Sequence, residues 1–226
     1  MKTIIETKNL TKVFDAGKPI EVRAVQGIDF SLKEGELLMI MGPSGSGKTT
    51  FLTMLGGLLT PSSGNLLFLG KEMQKISPKY LTKFRRKNIG FIFQSFNLLS
   101  NLSAVENVMI AGFGVRDKKK KATELLIALG LEKRLNADIN DLSGGERQRI
   151  AIARALMNDP TVILADEPTA NLDKKTGREV MDLLSSVALD HGKSIIVVSH
   201  DDRIKSIANR IAYIEDGRLI KWEENN

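Results

Sequence analysis

"LLMIMGPSGSGKTT", residues 37–50, decides how the rest of the chain is read. Five apolar residues in a row, Leu37 to Met41, run into a loop holding three glycines, and Lys48, Thr49 and Thr50 follow. Apolar residues without polar alternation predict a strand covered on both faces. Gly42, Gly47, Lys48 and Thr49 fit the pattern G-x-x-x-x-G-K-[ST], which works only between a strand and a helix. Glycines let successive backbone N–H groups turn inward around a phosphate, and the start of the next helix adds its positive end. Gly42, Pro43, Ser44, Gly45, Ser46, Gly47, Lys48, Thr49 and Thr50 are therefore the expected nucleotide-binding residues. Lys48 would reach the β- and γ-phosphates, and the Thr49 hydroxyl would ligate Mg²⁺.

On either side the chain keeps to strands and helices. Upstream, "IIETKNLTKVF" and "VRAVQGIDFSL" are short β-like stretches, and "KEGE" turns the chain into Leu37. Downstream, "TTFLTMLGGLL" has a helical pattern ended by Pro61, and "NLLFLG" returns as a strand. Residues 79–140 are mostly helical in pattern, with "IGFIFQ" as their one clear strand. A helix over residues 146–157 stops before Pro160. "TVILAD" and "SIIVVS" are buried strands around a helix at residues 176–190, and "IAYIEDGRLIKW" is a hairpin turning at Asp216-Gly217. Buried strands alternating with helices imply an α/β fold, a parallel sheet with helices on both faces.

Composition narrows the function classes. The 226 residues can bury a sizeable core, and 42% hydrophobic with 27% charged residues is an ordinary balance. No apolar run approaches the roughly 18 residues that span a bilayer. "MKTIIETKNL" carries no secretory pattern, and the chain has no cysteine for disulfides or thiolate metal sites. A cytoplasmic location is expected. The net charge of +6 does not by itself point to nucleic acid. "RDKKKKATELL" reads as a solvated helix start, and "KFRRKNIG" lacks interleaved stacking aromatics.

"VILADEPT" is the second anchor. A strand ending at Asp166 sets a carboxylate beside the phosphate loop to hold the Mg²⁺ shell, and Glu167 can orient and deprotonate a water. Hydrolysis is expected rather than binding alone. His200 closes "SIIVVSH" at the carboxyl end of a parallel strand, the edge where such sheets bind ligands. There it could hydrogen-bond the γ-phosphate and the attacking water. Gln94, ending "GFIFQ", could ligate Mg²⁺ or contact water, or simply end its strand. "LSGGERQR", residues 142–149, offers a second anion-binding turn: Ser143 is a good N-cap, and Gly144 and Gly145 leave the first N–H groups of the helix open.

The order "GPSGSGKTT", "FIFQ", "LSGGERQR", "ILADEPT", "NLD", "VSH" resembles the ATP-binding cassette (ABC) family of transporter ATPases over essentially the whole chain. The resemblance implies a P-loop NTPase, RecA-like core with an N-terminal antiparallel β subdomain and a helical signature subdomain. It implies one cassette over residues 1–226, the core at about 1–94 and 146–226 and the helical part at about 95–145. It implies ATP and Mg²⁺ as ligands and a homodimer in the ATP-bound state. In that dimer the Ser143, Gly144 and Gly145 turn contacts the γ-phosphate held by Lys48 of a second copy. Asp173, in "NLD", would lie across the same interface, and Phe14, in "LTKVF", would stack on adenine where the family more often has tyrosine.

Finer features are similar to the ATPases of lipoprotein-release, macrolide-export and cell-division complexes, which work with membrane subunits of the mechanotransmission type. That likeness implies docking of an integral membrane subunit near the segment from about Ser95 to Asn107, which would form part of its groove, and a peripheral position on the cytoplasmic face. Three other readings compete. A soluble ABC ATPase of DNA repair, chromosome maintenance or translation usually carries coiled coils, zinc modules or tandem cassettes. A regulator signalling through a membrane partner to a cell-wall enzyme would look the same in sequence. A small-molecule kinase shares the phosphate loop but has no use for Ser143 to Gly145.

Overall fold

The computed structural model describes residues 2–225, with side-chain surroundings for all of these except 188–191 and 203. In chain order it runs β1 (Thr3–Phe14), β2 (Val22–Lys33), β3 (Leu37–Met41), α1 (Lys48–Leu55), β4 (Ser63–Phe68) and β5 (Lys71–Glu72). Then come α2 (Pro78–Asn88), β6 (Ile89–Ile92), α3 (Ala104–Met109), α4 (Lys118–Ala128) and α5 (Gly144–Leu156). The last part holds β7 (Val162–Asp166), α6 (Lys174–His191), β8 (Ser194–Val198), β9 (Arg210–Glu215) and β10 (Arg218–Glu224).

The larger sheet has the order β10-β9-β3-β8-β7-β6. Its five strands from β9 to β6 are parallel, and β10 turns back antiparallel on β9. The unbroken apolar runs of β3, β7 and β8 follow from burial on both faces. Leu37, Met39 and Met41 join Ile163, Ala165, Ile195 and Val197 in a core with α3, α4, α5 and α6. Leu38 and Ile40 point the other way, with Val162, Leu164, Ile196 and Val198, toward α1 and the smaller sheet. Alternate residues of one strand thus feed two cores. Each such side chain taken from water contributes about 1.5–3 kcal/mol.

The smaller sheet, β2-β1-β4-β5, is antiparallel. Phe30 of β2 meets the Phe51 ring of α1 edge-on at 5.2 Å and lies 5.5 Å from the Trp222 ring of β10, so one aromatic joins both sheets.

Several boundaries differ from the sequence reading. Helix α1 ends at Leu55, well before Pro61. A Cβ on Gly56 would lie 2.0 Å from the Phe91 ring, and Gly57 takes a φ of +63° that turns the chain out of the helix. Strand β6 stops at Ile92, so Gln94 lies beyond it. Helix α5 begins at Gly144, not near Glu146, because Ser143 Oγ caps it by accepting from the Glu146 N–H. Helix α6 begins at Lys174, two residues early, because the Asp173 carboxylate accepts from the N–H groups of Lys175 and Thr176.

Within the helical part, fully buried Asn107 fixes the chain between β6 and α3. Its Oδ1 accepts from the Leu99 N–H, and its Nδ2 donates to the carbonyls of Leu99, Leu102 and Ser103.

Candidate active site

The phosphate loop leaves the carboxyl end of β3 and is wedged between two backbones. A Cβ on Gly42 would lie 1.9 Å from the Ile214 carbonyl oxygen of β9, and one on Gly47 would lie 2.1 Å from that of Ala24 in β2. Only glycine admits that approach. Lys48, buried at the first residue of α1, folds back over the loop: its Nζ donates to the carbonyls of Gly42 at 2.9 Å and Pro43 at 2.7 Å. Burial pushes its pKa down, opposed by the charges of Glu167 and Asp166.

Thr49 Oγ1 donates to Asp166 Oδ1 at 2.9 Å. Burial pushes the Asp166 carboxyl up; the Thr49 hydrogen bond opposes this, the Glu167 charge adds to it, and Lys48 pulls it back. The next residue, Glu167, adopts a φ of 48°, and its N–H donates to the Val198 carbonyl of β8 at 2.9 Å. A non-glycine residue held in the left-handed region stores strain of order 1–3 kcal/mol. Here it turns the Glu167 carboxylate toward His200, whose Nδ1 lies 2.8 Å from Glu167 Oε1.

An open cleft of about 1230 Å³ brings Lys48, Thr49, Glu167 and His200 together, and Asp166 lies just behind its wall, bonded to Thr49. The loop from Pro43 to Thr50 lines it, with Phe14, Gln94, Glu167 and His200. Phe14, 38% exposed at the end of β1, lies 5.2 Å under the Lys12 ammonium, and Val22 opposite it in β2 shares the cleft wall. Gln94 is tied in by its carbonyl, which accepts from Asn171 Nδ2 at 2.8 Å. Sequence reasoning missed Glu21, Arg23, Gln26 and the Asp216–Gly217 turn, all of which line the cleft. The turn is bonded into the loop: the Gly217 N–H donates to the Ser46 carbonyl at 2.9 Å, and the Gln26 N–H to the Gly217 carbonyl at 2.8 Å.

Ser143, Gly144, Gly145 and Asp173 do not line this cleft. They sit together elsewhere: a Cβ on Gly145 would lie 2.5 Å from Thr176 Cγ2, in the turn of α6 that Asp173 caps.

Among the described residues no group of three or more His, Cys, Asp or Glu side chains could hold a metal by itself. The hydroxyl of Thr49 beside the carboxylate of Asp166 is instead a pair of hard oxygens. It suits an ion that takes its remaining ligands from phosphate and water, as Mg²⁺ does.

Known proteins resemble the chain over nearly its whole length. The ABC transporter family model matches residues 25–170. An uncharacterized ABC transporter ATP-binding protein of Thermotoga maritima is 44% identical over 223 residues, 97% of this chain and 94% of that protein. The lipoprotein-releasing system ATP-binding protein LolD 1 of Caulobacter vibrioides is 41% identical, over 97% of this chain and 95% of its own. The macrolide export ATP-binding/permease protein MacB of Wolinella succinogenes is 44% identical over 99% of this chain, which spans only 35% of that protein. Among solved structures, the dimeric post-hydrolysis state of the cassette MJ0796, from Methanocaldococcus jannaschii and bound to ADP and Pi, is 40% identical with a TM-score of 0.91 over 99% of both chains. The chain belongs to the ABC transporter family, as an ATP-binding subunit that hydrolyses ATP.

Proposed function

We propose that two copies of the chain close head to tail around two ATP molecules, each held by the Lys48 loop of one copy and the Ser143–Gly145 turn of the other. One observation carries this reading. The cleft gathers Lys48, Gln94, Glu167 and His200, while the second anion-binding turn lies outside it. The cassette MJ0796, dimeric with ADP and Pi bound, supports a pair of chains as the working unit.

In this account Phe14 stacks on adenine, and the Lys48 ammonium leaves the carbonyls of Gly42 and Pro43 for β- and γ-phosphate oxygens. Thr49, Asp166 and Gln94 would hold Mg²⁺, which would neutralise phosphate charge. Glu167 takes the proton of the attacking water, and His200 steadies that carboxylate and contacts the γ-phosphate. Asp173 sits across the interface from the second copy's site.

The work done is mechanical. No helix among the described residues is long and apolar enough to cross a membrane. In this reading a membrane subunit transmits the work and the chain sits peripherally on the cytoplasmic face, as the relative named for lipoprotein release favours. Relatives named for lipoprotein release and macrolide export favour a partner of the mechanotransmission type. A second cleft, of about 480 Å³, supports docking near the stretch from Ser95 to Asn107. It is lined by Asn97 and by Phe91, Phe93, Ile110 and Phe113.

Glu167→Gln tests the reading. It should bind ATP, lose turnover and collect as a dimer in size-exclusion chromatography with ATP. Hydrolysis at the parent rate would remove Glu167 from the role of base.

A further inference from the structure

The Ser143 turn carries an anion of its own. Glu146 Oε2 accepts from the Ser143 N–H at 2.9 Å and from the Ser143 hydroxyl at 2.8 Å. Its other oxygen, Oε1, accepts from Arg134 Nε at 2.8 Å. Together these bonds, the Ser143 backbone N–H foremost, hold the Glu146 carboxyl below the usual carboxylate range.

A capping box alone would signify little. Ser103 and Glu106 make the same pattern at the start of α3. Yet Glu106 has no ion pair among the described residues, whereas Glu146 is bridged to another part of the helical region. Arg134 sits in the short turn after α4, and the adjoining backbone is fixed: the Arg134 N–H donates to the Leu131 carbonyl and the Val105 N–H to the Leu135 carbonyl.

In the head-to-tail reading the Ser143 hydroxyl and the Gly145 N–H are the groups that receive a γ-phosphate. Glu146 now holds that hydroxyl. Two anions cannot share the one proton of that hydroxyl, and a free carboxylate beside a triphosphate repels it over several ångströms. We infer that Glu146 is a built-in stand-in for the γ-phosphate, and that Arg134 is the positioning residue that keeps its carboxylate neutralised and aside when ATP on a second copy takes over Ser143. ATP-driven closure is then an exchange of anions at one turn. In the separate chain Glu146 satisfies the cap; in the dimer phosphate replaces it and Arg134 retains the displaced carboxylate.

This inference rests on the head-to-tail reading, and the test separates the two. In a Glu167→Gln background, ATP-dependent dimerisation is titrated for Arg134→Ala, Glu146→Gln, the double variant and Ser143→Arg. Arg134→Ala should raise the ATP needed for half-dimerisation by about three- to tenfold, the scale of one exposed charge at a helix start. Glu146→Gln should need no more ATP than the parent, and adding it to Arg134→Ala should restore dimerisation. A rescue of that kind cannot arise from misfolding. ATP binding by the single chain, followed with a fluorescent ATP analogue, should not move in any of them. Dimerisation of Arg134→Ala at the parent ATP concentration, or a double variant as weak as Arg134→Ala, overturns the inference. Normal dimerisation of Ser143→Arg overturns the head-to-tail reading itself.

Discussion

Glu167 Oε1 and His200 Nδ1 lie 2.8 Å apart, and the contact is lopsided: the Glu167 side chain is 15% exposed and the imidazole 67%. Glu167 is fixed by its backbone, whose N–H is bonded to the Val198 carbonyl. His200 closes over it from the end of the neighbouring strand. The carboxylate therefore keeps its place without the imidazole but loses the contact that sets its direction.

His200→Ala should reduce kcat by about a hundredfold, within the range for a lost acid–base partner. The Kd for ATP, measured by equilibrium binding with Mg²⁺, should stay within a few fold of the parent. Loss of ATP binding instead of turnover would make His200 a ligand-holding residue only.

Asp166 carries a stability cost that its role imposes. Burial raises its pKa above the ordinary 3.8, so the folded chain binds its proton more tightly than the unfolded chain does. Stability from this group is present at low pH and declines as pH rises through the raised pKa. Asp166→Asn keeps an acceptor for the Thr49 hydroxyl and removes the charge. Without ligand it should melt about 2–4 °C above the parent at neutral pH. That gain should vanish below pH 3.8, where the carboxyl is protonated in both states. Mg²⁺-dependent hydrolysis should be lost at every pH. An Asn variant that melts lower at pH 7 would contradict the assignment of burial as the dominant cause.

Gln148 is a second polar group held at a cost. It is fully buried on α5, and neither amide atom has a hydrogen-bond partner among the described residues. A buried unpaired polar group costs about 1–3 kcal/mol. Gln148→Met keeps the length of the side chain and removes its polar atoms, so unfolding in urea should require about 1 kcal/mol more. A destabilised variant would show that the amide has partners after all.

The parts of this site legible in the sequence are those whose geometry is local. Leu37 to Lys48 place a strand, a loop and a helix within one short stretch, and the apolar runs at β7 and β8 bring Asp166 and His200 to the same sheet edge. The wall formed by Gln26 and Gly217 was not legible. Those residues are far apart in sequence and meet through one backbone bond, and an Asp-Gly hairpin turn looks the same wherever it lands. The start of α5 was half legible. Ser143 and Glu146 have the spacing of a capping box, which sets the helix start at Gly144, but two glycines argue against helix by propensity. Packing decides for them, since a larger side chain at Gly145 would strike Thr176.

The division of labour between Lys48 and Ser143 is tested most directly by mixing two inactive variants. Lys48→Ala lacks the phosphate loop's cation but keeps its signature turn; Ser143→Arg keeps the loop and loses the turn. Steady-state ATP hydrolysis is measured for each alone and for the mixture. Each alone should be inactive, and hydrolysis should appear on mixing, because the loop of the Ser143 variant meets the turn of the Lys48 variant in one intact site. A mixture as inactive as its components, or a Ser143→Arg protein active on its own, would contradict a site shared between two chains.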